Sequence, residues 1–158
     1  VTLLFLINYA FNWFFAERIG KLIHHFGERR ALTAEYIGLI FVFVAYGLVD
    51  NATLAAALYV IDHMFFAMAI AISTYFQKIA DPKDMASTAG VSFTISHIAA
   101  VVIPAALGVV WITAPELVFY CGAVFALLSL IASQFIPNQP KPGQETLMMG
   151  SGAAPAKA

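Results

Sequence analysis

The chain has 158 residues, 61% of them apolar and only 11% charged, with a formal net charge of -1 and a mean hydropathy of +0.84. Soluble domains run about 45–50% apolar and about 25% charged, and a domain this small has too much surface for its volume to hide such an excess. A soluble enzyme, a disordered chain and a basic nucleic-acid binder are excluded together, and Cys121, the single cysteine, excludes a disulfide scaffold. An all-α integral membrane protein is the class that remains.

Five apolar stretches approach the roughly 20 residues that cross a bilayer as a helix: 1–19, 32–49, 54–76, 86–112 and 117–136. Barrel strands would be shorter and would alternate polar with apolar. The chain opens inside an apolar run, with no basic segment or cleavage site of a signal peptide, and is expected to be a fragment lacking its earlier part. The first stretch carries Asn8 and Asn12, whose spacing of four puts both amides on one helical face. Residues 20–30 are polar and basic and read as a loop. The second stretch has Glu35 near one end and little else that is ionisable.

The third stretch contains Asp62 and His63, and a rise of about 1.5 Å per residue puts Asp62 about 12 Å deep. Asp81-Pro82-Lys83-Asp84 makes a turn, since Pro82 biases the preceding residue away from helix. In the fourth stretch His97 lies about 15 Å from its nearer end, beside Ser92, Thr94 and Ser96, and Pro104 and Gly108 mark a place where the helix can kink. Pro115 suits the first turn of the fifth stretch. From Pro137 onward Pro, Gly, Ala and Ser dominate, so the expected organisation is a transmembrane part, 1–136, and a disordered tail, 137–158.

Ionisable groups inside a membrane cost about 2.5–3.5 kcal/mol each on insertion scales and usually face a protein interior or a water-filled cavity. Asp62 and His97, with Asn8 and Asn12, are therefore the candidate solute or proton site; a structural polar pair tying two helices together is the other reading. By this polarity the first, third and fourth stretches line the interior and the second and fifth face lipid. All eight Lys and Arg fall on one side of a five-pass zigzag, which the positive-inside rule makes cytoplasmic. The expected location is a multi-pass cell membrane protein with its C-terminus in the cytoplasm. No metal-ligand cluster, phosphate loop or nucleophile motif occurs, so neither a cofactor nor enzymatic chemistry is expected.

Residues 20–30 carry a resemblance. Gly20, Leu22, Gly27 and Arg29 match the cytoplasmic signature loop of the major facilitator superfamily, G-x-L-A-D-R-x-G-R-K, while His24, His25 and Glu28 depart from it. The stretch resembles the weaker second copy of that loop, which implies that the five segments correspond to helices eight to twelve of that fold. The resemblance implies secondary transport of a small solute by alternating access, driven by an ion gradient, protons foremost, or by the solute gradient alone, with the N-terminal half of the same protein as the missing partner. Taken without the family, the loop is a basic anchor in an anionic leaflet, and the alternative function is a small non-transporting membrane subunit packed against a partner.

Overall fold

A computed structural model describes residues 2–148. Among these the chain is helical, without strands: α1 Thr2–Phe26, α2 Glu28–Leu48, α3 Ala52–Phe66, a 3-10 turn at Ala67–Ala69, α4 Ile70–Ile79, α5 Met85–Thr113 and α6 Pro115–Ser133. Helices are what an apolar chain must form in hydrocarbon, where no water is present to bond a free backbone N–H or C=O. Four stretches are long and apolar enough to cross a membrane: α2, the run Ala52–Ile79 made by α3 and α4, α5 and α6. At 25 residues α1 matches them in length, but Glu17, Arg18, Lys21 and His24 crowd its second half. The five expected spans thus become four clear ones with α1 beside them.

The helix boundaries have local causes. The Asn51 side chain caps α3 by accepting from the backbone N–H of Thr53 (2.8 Å) and Leu54 (3.3 Å). Asp81 Oδ1 accepts from Lys83 N at 3.0 Å and closes the turn between α4 and α5. Pro115 opens α6, where its missing N–H costs nothing.

The expected loop at 20–30 is corrected. α1 continues through it to Phe26, and the break falls on Gly27 alone. Lys, Leu and Ile are adequate helix formers, so polarity there does not end the helix. Gly27 has φ 91 and ψ 153, a conformation essentially reserved for glycine, and the backbone carbonyl of Asn138 occupies the space a Cβ would need.

The packing order also differs from the polarity reading. α2, expected to face lipid, is the centre of the bundle and touches α1, α3, α4 and, most extensively, α6. Its buried residues, Glu28, Ala31, Leu32, Glu35, Gly38 and Val42, recur every three or four positions and form one face. α5, expected to line the interior, has no buried residue and packs on α6. It stays helical through Pro104 and Gly108, both on its exposed surface. Hydrophobicity alone could not sort these two helices, because a lipid-facing and a helix-facing surface are equally apolar.

The tightest core lies at the end of the bundle where α1 turns into α2. Ile23, Ala31, Leu32 and Ala71 are buried there, against Ile19, Tyr36, Met68 and Ile136. Of the segment 137–158, read from sequence as a disordered tail, residues 137–148 are described and 149–158 lie outside the described residues. Residues 137–148 run across this same end. Asn138 O accepts from Glu28 N at 3.1 Å, Pro140 is buried, Tyr75 Oη donates to Glu145 O at 2.7 Å, and Leu147 N donates to Phe135 O at 2.9 Å.

Candidate functional site

Two groups of polar side chains stand out, one at mid-depth and one at the basic end. At mid-depth, Asp62 sits in α3 with its side chain 24% exposed, and its carboxylate Oδ2 lies 3.5 Å from Nδ1 of His63. The same Nδ1 is 3.0 Å from the carbonyl oxygen of Tyr59 one turn back, and the two rings lie 4.3 Å apart. A carbonyl can only accept, so a hydrogen bond here requires the ring proton on Nδ1. The neighbour of Asp62 is therefore His63, not His97. His97 lies exposed on α5, bonded through Nδ1 to Phe93 O at 2.9 Å with its ring 3.8 Å from that of Phe93. α3 and α5 form no substantial interface, so the structure does not bring Asp62 and His97 together.

Asn8 does come to the level of Asp62. Phe5 of α1 meets Tyr59 of α3 edge-on at 6.1 Å, the two helices run in the same direction, and Asn8 and Asp62 each stand three residues further along. Asn8 is 5% exposed, and its amide nitrogen has no hydrogen-bond partner among the described residues. A buried donor without a partner costs about 1–3 kcal/mol, which marks it as a group awaiting an acceptor. Asn12, one turn on, is half-buried. Five residues beyond Asp62 the α-helix gives way to the 3-10 turn Ala67–Ala69, in a run that holds neither Pro nor Gly. A 3-10 stretch inside a longer helix often marks a hinge or a site under strain.

The second group lies at the basic end. Glu28, 1% exposed, pairs with Lys78 at the end of α4 at 2.5 Å, while its Oε2 lacks a hydrogen-bond partner among the described residues. Arg29 donates to Gln134 Oε1 just past α6, through Nη2 at 3.3 Å and Nε at 3.4 Å, and Gln134 Nε2 donates to Thr33 Oγ1 at 3.0 Å. Of the four matched signature positions, Arg29 takes part in these contacts and Gly27 makes the turn between α1 and α2 against Asn138, while Gly20 and Leu22 lie on α1 with open space at Gly20 and an exposed Leu22. Through its pair with Lys78, Glu28 latches α2 to α4. Glu17 instead pairs with Lys21 one turn along α1, at 2.7 Å and in the open.

Sequence reasoning passed over Glu35. It is 3% exposed on α2, and its Oε2 has no partner among the described residues. Its spacing of seven from Glu28 was the available signal, since it puts both acids on one helical face.

The described residues contain no group of three or more His, Cys, Asp or Glu placed to hold a metal ion. No protein-family profile, no curated protein and no solved structure matches this chain.

Proposed function

We propose that this helical bundle is part of a secondary transporter of the major facilitator type, moving a small solute by alternating access with proton coupling through Asp62. The observation that carries the reading is the Asp62–His63 pair, half-buried at mid-depth in a span whose helix is interrupted at Ala67–Ala69. Interrupted membrane helices and midplane polar groups are the recurring parts of transporter sites. The signature positions Gly27 and Arg29 support it, as they join helix ends at the basic side. In this reading Asp62 holds the proton, His63, Asn8 and Asn12 contact the solute or relay, and the exposed α5, with His97, Pro104 and Gly108, faces the remainder of the transport path. The basic end, with Arg29, Arg30, Lys78 and Lys83, lies in the cytoplasm.

The test is uptake by the natural full-length protein in proteoliposomes with an imposed pH gradient. Asp62→Asn is expected to abolish gradient-driven uptake by at least about ten-fold, as loss of a membrane-embedded proton carrier should, while the variant still inserts and folds. Undiminished gradient-driven uptake by Asp62→Asn removes the proton role, and absence of any solute flux in the unmodified protein favours the non-transporting subunit.

A further inference from the structure

A separate groove opens at the basic end, between α1, α2 and the 3-10 turn. The groove, of about 260 Å³, is lined by Leu22, Ile23 and Phe26 of α1, by Arg30 and Ala34 of α2, and by Met68. Every lining side chain is apolar except that of Arg30. Arg30 is exposed and makes no hydrogen bond or ion pair among the described residues, whereas Lys21 pairs with Glu17, Arg29 bonds to Gln134 and Lys78 pairs with Glu28. Glu17 and Glu28 are thus already matched to lysines, and Arg30 is left with an unanswered positive charge at the mouth of an apolar groove.

The depth of the groove fits a lipid. With 25 residues α1 is about 37 Å long at 1.5 Å per residue, against a hydrocarbon core of about 30 Å. The polar residues Glu17, Arg18, Lys21, His24 and His25 place the surplus at its C-terminal end, so Leu22 and Phe26 stand where acyl chains give way to headgroups. We propose that this groove holds the upper part of an acyl chain of an anionic phospholipid, with the lipid phosphate bound by the Arg30 guanidinium. Arginine suits the role because its planar fork gives two parallel hydrogen bonds to a phosphate. The acyl chain is already out of water in the bilayer, so the groove adds no hydrophobic gain. It fixes the position of the lipid by fit, and the charge selects anionic over zwitterionic headgroups. The site is independent of any solute the bundle moves.

The test is native mass spectrometry of the full chain in neutral detergent, titrated with phosphatidylglycerol, phosphatidylcholine or glycerol phosphate. Phosphatidylglycerol is expected to bind in preference to phosphatidylcholine, and glycerol phosphate, which lacks the chain, to be retained poorly. Arg30→Gln should weaken phosphatidylglycerol binding about five-fold, the effect of one cation beside an anionic lipid. Lys21→Gln, at an exposed charge outside the groove, should leave it unchanged. Ala34→Phe, which fills the groove and keeps every charge, should weaken it as well, and provides a second readout if Arg30→Gln folds poorly. Equal losses in Arg30→Gln and Lys21→Gln, equal retention of both lipids, or glycerol phosphate binding as well as the lipid would each overturn the proposal.

Discussion

The contact between Glu28 and Lys78 shows how unevenly one ion pair can divide its burden. Glu28 is 1% exposed while the Lys78 side chain is 34% exposed. Removing the lysine strands a carboxylate that water cannot reach, whereas removing the charge of Glu28 releases a lysine that can turn outward. Breaking a buried pair from one side costs about 3–5 kcal/mol, and the partial exposure of Lys78 lowers the cost here. Lys78→Ala is therefore expected to destabilise the bundle clearly more than Glu28→Gln, and the double variant should recover part of the loss. Thermal unfolding in detergent checks both statements, and equal effects of the two single changes would contradict the asymmetry. The acid also sits in the first turn of α2, where a negative charge is favoured by the helix dipole.

At the scale of elements, α2 holds the bundle together through a face that mixes small and large residues. Gly38 is where the ring of Phe65 from α3 comes closest, and an added Cβ would run into that ring. Gly38→Leu should cost about 1–3 kcal/mol as overpacking, with Gly38→Leu/Phe65→Ala restoring part of it, again read by thermal unfolding. The apolar runs made the long helices legible in the sequence, with ends within a few residues except at α1. There the sequence equates the end of apolarity with the end of the helix, and residues 20–26 show that these are different events. The interruption at Ala67–Ala69 was not legible at all, because Ala and Met signal no break and the cause lies outside the local sequence. Nor was the rank of the helices. Asp62 and Asn8 stood out by polarity and do share one depth on adjacent helices, but His97 stood out equally and lies apart. A count of polar residues locates depth along a helix and is silent on which way the helix faces.

For the whole molecule, the basic end is where the parts are joined. The α1–α2 turn, the ends of α4 and α6 and residues 137–148 all meet there through Gly27, Glu28, Tyr75 and Asn138. Within that last segment the Glu145 carboxylate accepts from Gly143 N at 2.7 Å, and this hydrogen bond holds its pKa below the ordinary 4.5. A lowered carboxylate pKa contributes stability above the ordinary value and loses it as pH falls through the lowered one. Exchange of the Gly143 amide should accordingly quicken as pH drops below 4.5 by more than the intrinsic pH dependence of exchange, and Glu145→Ala, which removes the acceptor, should show fast exchange already at neutral pH. A flat protection profile across that range would rule out this carboxylate as the clasp. The central place of α2 has a further consequence for how the protein is made. The bond from Arg29 to Gln134 spans 105 residues of sequence, so the partner of α2 has yet to be translated when α2 reaches the bilayer. At about 5–20 residues per second, that interval lasts about 5–20 s. Throughout it Arg29 and Thr33 lack Gln134, and the face of α2 that α6 will cover stays open.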